Sequence, residues 1–412
     1  MLPACLVSFL AKLLSKFNSI DIRIMRAISH LCAAYLYYSK FPVLTRFKKK
    51  EWKMIRHCIS VLAVIFLGHS LFFADSASAQ LLSQLVSEEE LRPAVEVQRK
   101  NENKLFDNPG VVAVGVGLTE DGSGPAVHVY LNTNAPGASA SAISSRLNGV
   151  PVRVFETDEV IALDGPPGNN HKQTFAPPVP MGVSTGSVSI SGGFVTIGTL
   201  GYRVFRLGQP NNVGYITNNH VAGSSGTNLC PAMINPANLP PFRLAQCQPS
   251  LSDGVGCASS IGNLVQAVPI IMGGLYQNTV DAAFVKSNRN LVNKTILDIG
   301  DPSPQLQAPA VNLVVRKSGR TTGITQGTIQ SINVTEIVSY GACGVAKFVG
   351  QIAIVPGAFS AAGDSGSPIL GDTDSSGRRR PVGLLFAGSS NVTFANRISD
   401  VLGALHSAID TK

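Results

Sequence analysis

The run Ala362-Gly363-Asp364-Ser365-Gly366-Ser367-Pro368 sets one serine hydroxyl in a turn built almost wholly of small residues. A serine hydroxyl is a poor nucleophile alone. It needs a general base to take its proton and N–H groups to hold the oxyanion that forms on attack. Small residues on both sides of Ser365 let the backbone turn sharply enough for such N–H groups to converge. Gly-Asp-Ser-Gly is also ordinary loop chemistry, so its meaning depends on partners elsewhere in the chain.

Around this run the sequence is β-like. Short apolar runs at Phe194–Ile197, Arg203–Phe205, Val280–Val285, Val311–Val315 and Val382–Phe386 are separated by Gly-rich turn signals, and the spacing predicts an all-β barrel or sandwich. Only the tail, about Ile398–Ile409, has helical spacing, with Ile398, Val401, Leu402, Leu405 and Ile409 on one face. Residues 165–180, from Gly165-Pro166-Pro167-Gly168 to Pro177-Pro178-Val179-Pro180, read as a linker. Before it, residues 80–164 predict a small α+β domain. It comprises a charged helix over Glu88–Leu105, strands at Val111–Leu118 and Ala126–Leu131, a short helix at Ser141–Leu147 and a third strand at Val150–Phe155. His128 alternates with apolar neighbours there and is expected to pack or to face the surface.

Residues 1–57 hold eleven Lys/Arg against Asp21 and Glu51, while the whole chain is only +8. The remainder is therefore about neutral, and no basic body is left to neutralise phosphates, which argues against a nucleic-acid partner. Lys48-Lys49-Lys50 and Arg56 precede an apolar run, Ile59–Ala74, and then Ala77-Ser78-Ala79-Gln80. That is the order of a secretory signal peptide with cleavage after Ala79, and Met54 is well placed as the true start. An uncleaved membrane anchor is the rival reading, and the membrane enters only through this leader. Four cysteines lie beyond it, Cys230, Cys247, Cys257 and Cys343, an even number that suits disulfides in an exported chain; three pairings are possible. They form no CxxC pair and have no nearby His, so a metal site is not expected.

Beyond the leader the histidines are His128, His171, His220 and His406. His171 falls in the linker and His406 on the polar side of the tail. His220, in Gly214-Tyr215-Ile216-Thr217-Asn218-Asn219-His220-Val221-Ala222-Gly223, ends an apolar strand and is the candidate base. A third partner must accept the other imidazole N–H. Asp281, in Thr279-Val280-Asp281-Ala282-Ala283-Phe284-Val285, is an acid amid apolar β residues, costly to bury unless hydrogen-bonded. Asp253, Asp298 and Asp301 lie in Gly/Pro/Ser-rich turns, where a solvated place is expected.

The order His220, Asp281, Ser365, with the stretches around them, resembles the trypsin-like (chymotrypsin-fold) serine peptidases over about residues 181–405. Lys317-Ser318-Gly319-Arg320-Thr321-Thr322-Gly323, Pro381–Ser389 and Gly198-Thr199-Leu200-Gly201 fit as well, and with the α+β segment the chain is similar to bacterial relatives of the plant narrow-leaf trypsin-like proteins. The resemblance implies a mainly β fold, a two-lobed chymotrypsin-like β-barrel peptidase domain over 181–412 preceded by the small α+β domain. It implies an exported serine endopeptidase acting on protein or peptide substrate, with no metal or organic cofactor. Ser365 would be the nucleophile, His220 the base, Asp281 its orienting acid, and the N–H groups of Gly363 and Ser365 the oxyanion hole. Phe359, Ser360, Phe386, Ala387 and Gly388 would bind substrate, with small or apolar side chains preferred at the cleaved position. Asp364 would tie the turn to a buried partner. Val221 stands where many members have cysteine, and Ser367 where many have glycine; neither change removes a catalytic group. The alternative is a non-catalytic peptide-binding module on the same fold. A nucleophile-elbow esterase fails on order, since it places serine first.

Overall fold

The structure is a computed structural model and describes residues 85–162, 170–187, 196–223, 230, 245–254, 257 and 260–412. The leader expectations, cleavage after Ala79 and a start at Met54, lie outside the described residues, as do Phe194 and Val195 of the first apolar run.

Six antiparallel strands close into a barrel. Val314–Gly319 pairs with Gly323–Ser339, and Gly323–Ser339 with Val345–Val355. Val345–Val355 pairs with Thr393–Arg397, Thr393–Arg397 with Arg379–Gly388, Arg379–Gly388 with Pro368–Thr373, and Pro368–Thr373 returns to Val314–Gly319. Closure leaves no open edge around this ring. Val315, Ile329, Ile352, Ile354, Phe359, Ile369 and Leu385 fill part of its interior. A second sheet sets Arg203–Arg206, Gln209–Thr217, Ala283–Lys286, Ser260–Ala267, Ala245–Cys247 and Ser184–Ser187 side by side in that order. Its core holds Tyr202, Tyr215, Ile216, Ile261 and Phe284. The mainly β, two-lobed architecture expected from the Gly-punctuated runs is the one the chain adopts.

The tail differs from its expectation. The helix covers only Ile398–Ala404; His406 takes a positive φ of 45°, and Ser407–Ile409 becomes a strand on Arg203–Arg206. Ile398, Val401, Leu402, Leu405 and Ile409 all bury in the core of the second sheet, so a shared destination mimicked a single helical face. The Ser141–Leu147 helix is likewise a 3-10 turn at Ala140–Ala142 and a two-residue strand at Arg146–Leu147. Ile143 and Leu147 are both buried, which is the spacing that suggested a helix.

The α+β segment has its long helix at Arg92–Phe106, begun after a turn in which the Ser87 N–H and hydroxyl both donate to Glu90 Oε2. Its strand Val111–Leu118 pairs with Pro125–Asn132 on one side and with the barrel strand Gly323–Ser339 on the other. The helix buries Leu91, Ala94 and Val95 against the barrel interior, and Val97 and Leu105 against its own sheet. Each of these Leu and Val side chains contributes about 1.5–3 kcal/mol, so the segment is fastened by a continuous sheet and a shared core. Part of the expected linker is also packed. His171 is buried between the Gly182 carbonyl (2.8 Å) and Asp298 Oδ2 (2.9 Å), and Val179–Met181 pairs with Val292–Ile296. A polar, Pro-rich composition hid these contacts because their partners lie far away in sequence.

Candidate active site

His220 sits on a one-turn helix, Asn219–Ala222, directly after the strand Gln209–Thr217. Asp281 lies just before Ala283–Lys286, the strand that pairs with Gln209–Thr217. This pairing brings base and acid together. His220 Nδ1–H donates to Asp281 Oδ2 at 2.6 Å, and the His220 backbone N–H donates to Asp281 Oδ1 at 3.2 Å. The side chains are 4% and 0% exposed, so the contact works in low dielectric, where a charge-assisted hydrogen bond is strong.

The rest of the acid's shell was not legible in the sequence. Tyr340 Oη donates to Asp281 Oδ2 at 2.9 Å, and its ring meets the imidazole edge-on at 6.0 Å between centroids. Burial and the Asp281 carboxylate both push the Tyr340 phenol well above its ordinary pKa, which keeps it a donor. Asn218 Nδ2 donates to the Asp281 carbonyl (2.7 Å), and the Asp281 N–H donates to Asn396 Oδ1 (3.0 Å). Asn396 in turn donates to Gln351, which donates to the Thr279 carbonyl. Tyr340, Asn396 and Gln351 come from the barrel and Asn218 from the other sheet, so both lobes hold the acid. The Asn218 pattern beside His220 was the one available signal.

Ser365 lies between Gly363 and Gly366, both left-handed at φ 94° and 89°. A Cβ at Gly363 would come within 2.5 Å of Arg320 Nη1 and Thr321 Oγ1, and one at Gly366 within 2.3 Å of Thr217 Oγ1. Glycine is thus required at both by conformation and by space. The Gly198-Thr199 backbone joins the serine turn to the histidine helix. Thr199 N–H donates to the Ser365 carbonyl at 2.7 Å, and a Cβ at Gly198 would sit 2.5 Å from Val221 and 3.1 Å from that carbonyl. The Ser365 hydroxyl donates to the Phe386 carbonyl at 3.3 Å.

Asp364 has several buried partners. Its carboxylate accepts from the Thr321 and Thr322 N–H groups (2.8 and 3.2 Å), Thr322 Oγ1 (2.7 Å) and the Ala361 N–H (3.0 Å), and pairs with Lys317 Nζ at 3.5 Å. Burial pulls the Lys317 ammonium below the ordinary lysine value, with Asp364 opposing. Asp253 is not the solvated turn residue expected. It forms a two-pronged pair with buried Arg320 at 2.6 and 2.7 Å and accepts from Ser184 Oγ. Asp298 contacts His171, and Asp301 contacts Lys294 and Thr295, so none of the three stands at the His220 ring.

The expected substrate residues are divided. Phe359 is buried in the barrel, with Lys317 Nζ 5.9 Å from its ring centroid. The Phe386 side chain packs on Phe348 at 4.9 Å between centroids, and Ser360 Oγ contacts Thr393 Oγ1. The Phe386 backbone carbonyl is what meets Ser365 Oγ. The cysteines pair as Cys230–Cys343 and Cys247–Cys257. Among the described residues no cluster of three or more His, Cys, Asp or Glu has the arrangement of a metal site, and no helix is long and apolar enough to cross a membrane.

A family model, the Nal1 C-terminal domain, matches residues 277–400, a stretch that contains Asp281 and Ser365 but not His220. Protein NARROW LEAF 1 of Oryza sativa subsp. japonica is 29% identical over 221 residues, covering 48% of this chain and 35% of the relative. The chain therefore matches about a third of the length of that curated relative. Among solved structures, Cellulomonas bogoriensis chymotrypsin aligns with 20% identity and a TM-score of 0.34 over 57% of this chain and 99% of its own. Thermobifida fusca protease A aligns with 21% identity and a TM-score of 0.36 over the same shares.

Proposed function

We propose that this chain is an exported serine endopeptidase that cleaves peptide bonds through Ser365, His220 and Asp281. The observation that carries this reading is the doubly fastened His220–Asp281 pair, joined through Gly198-Thr199 to the glycine-built turn that presents Ser365. With Nδ1–H committed to Asp281, the imidazole carries its lone pair on Nε2, the state a general base needs. Ser365 Oγ attacks the peptide carbonyl and gives its proton to His220 Nε2. That proton then passes to the leaving amine, and water, activated by the same nitrogen, hydrolyses the acyl-enzyme. Asp281 stabilises the imidazolium in between. Gly363 and Ser365 supply the oxyanion N–H groups, while the Asp364 N–H between them is committed to the Ala361 carbonyl at 3.0 Å. Each oxyanion donor is worth about 2.7–4 kcal/mol in the transition state. The two disulfides support an oxidising compartment.

The test is labelling by a small fluorophosphonate, together with hydrolysis of casein and short peptides, in the wild type and in Ser365→Ala. Labelling that vanishes in the variant is expected. A wild type that neither labels nor turns over, yet binds peptides, would replace the peptidase with a binding module.

A further inference from the structure

Ser365 is fully buried and His220 is 6% exposed. The strand Arg379–Gly388 runs up to this serine. Its Phe386 carbonyl accepts from Ser365 Oγ, and the next two residues continue the strand away from the serine. One flank of Ala387 and Gly388 is taken by Phe394 and Thr393. An extended peptide that is to reach Ser365 by strand addition must use the other flank. That flank is occupied by the chain itself, because Ala162 pairs antiparallel with Ala387, and Ile161 with Gly388.

Resting on the peptidase reading, we infer that residues 158–162, which follow the strand Val150–Thr157, form an arm that occupies the substrate-pairing edge and competes with substrate for it. The arm is fastened on both sides of its short strand. The Ser339 N–H donates to the Val160 carbonyl (2.9 Å), and Ile161 pairs in parallel with Ser339. Thr157 Oγ1 contacts Ser389 Oγ (2.7 Å), the Ser390 N–H donates to Asp158 Oδ1 (2.9 Å), and Asn391 Nδ2 donates to the Glu156 carbonyl (3.1 Å). Val160 is the apolar anchor, buried beside Phe348, Phe386 and Phe394. Val160 is the one fully buried apolar side chain of the arm, and with two short pairings and a few polar contacts it makes a hold that local opening can release. The occupant also describes the substrate. Where Ala162 sits, a small side chain packs against the apolar cluster; where Ile161 sits, 42% exposed, the side chain is free to vary.

The test uses the full chain in a Ser365→Ala background, so that binding is read without chemistry. The probe is a fluorescein-labelled peptide carrying the sequence Glu-Val-Ile-Ala, followed by anisotropy. Val160→Asp removes the anchor; the double change Thr157→Ala with Asp158→Ala loosens the arm without touching the core. Apparent affinity scales with the fraction of chains whose edge is open, so both variants are expected to bind the probe about tenfold or more tightly. Affinity unchanged in both overturns the inference. Fluorophosphonate labelling of the arm variants with Ser365 intact reports the peptidase reading separately: if labelling fails there while the same variants tighten binding in the Ser365→Ala background, the peptidase reading fails and the arm stands as the guard of a peptide-binding edge.

Discussion

At the scale of single residues, the proposed function rests on three groups acting as one and a fourth that positions them. Removing the nucleophile or the base of such a unit costs nearly as much as removing all three. Ser365→Ala and His220→Ala are each expected to lower kcat by about 10⁴–10⁶-fold, with the double variant hardly worse. Asp281→Asn is expected to fall by about 10⁴-fold, because it misorients the base without deleting it. Steady-state kinetics on one peptide substrate reads all four, and additive losses would break the assignment. Tyr340 touches neither Ser365 nor substrate in this assignment; it acts through Asp281. A hydrogen bond to a charged group contributes about 1.5–3 kcal/mol. Tyr340→Phe is expected to lower kcat about tenfold or more with KM near the wild-type value, in a protein somewhat less stable but fully folded at the assay temperature; kcat unchanged in the folded variant would make Tyr340 merely structural. The three proposed catalytic residues were legible because each is a rare residue type in an improbable setting: a histidine at a strand end, an acid in an apolar run, a serine among glycines. Tyr340 was not legible, since a tyrosine before Gly341 carries no sign of the carboxylate 59 positions earlier.

Among the elements, the turn after Ser318 decides the shape of the serine turn. Asp364 accepts four hydrogen bonds and faces Lys317, and both of these side chains are fully buried. Breaking one side of such a pair leaves a buried charge without its counter-charge, which costs about 3–5 kcal/mol. Asp364→Asn is expected to lose stability on that scale in urea unfolding, and Lys317→Met added to it is expected to recover a large part. If the second change adds to the loss, the ammonium is not what Asp364 neutralises. The sequence pointed to a buried partner for Asp364, and Lys317-Ser318-Gly319-Arg320-Thr321-Thr322-Gly323 lay in plain view without being connected to it. Strand alternation and turn signals report local conformation, whereas this link depends on which strands are neighbours in the barrel. The same limit explains Asp253, whose Gly/Ser-rich setting reads as solvent-facing although Arg320 buries it.

Over the whole molecule, the question is whether the amino-terminal segment and the barrel fold as one unit. They share the strand Gly323–Ser339, and across that seam His128 links them. Its Nε2–H donates to the Leu118 carbonyl at 2.8 Å, so Nδ1 accepts from Ser331 Oγ at 2.7 Å, and Tyr130 Oη meets the same hydroxyl. With Nδ1 as an acceptor the imidazole is neutral, and burial pushes the His128 pKa down to about 4 from an ordinary 6.5, against the opposing pull of the Leu118 carbonyl. The sign follows from proton counts. Between pH 6.5 and about 4 the unfolded chain binds a proton at this position that the folded chain refuses. The stability His128 contributes is therefore complete above pH 6.5, falls as the pH drops through that window, and is gone below about 4. At 1.36 kcal/mol per unit the loss approaches about 3 kcal/mol. Because the histidine sits on the segment and its partner Ser331 on the barrel, one cooperative transition is expected at every pH, with segment and barrel probes coinciding. His128→Gln is expected to flatten the slope between pH 4 and 6.5 by about one proton. Cleavage between residues 165 and 180 is then expected to leave the two parts associated by size-exclusion chromatography, since the seam runs through hydrogen bonds and not through the connecting chain. Two separate transitions, or release of the segment on cleavage, would show that the continuous sheet does not make one folding unit.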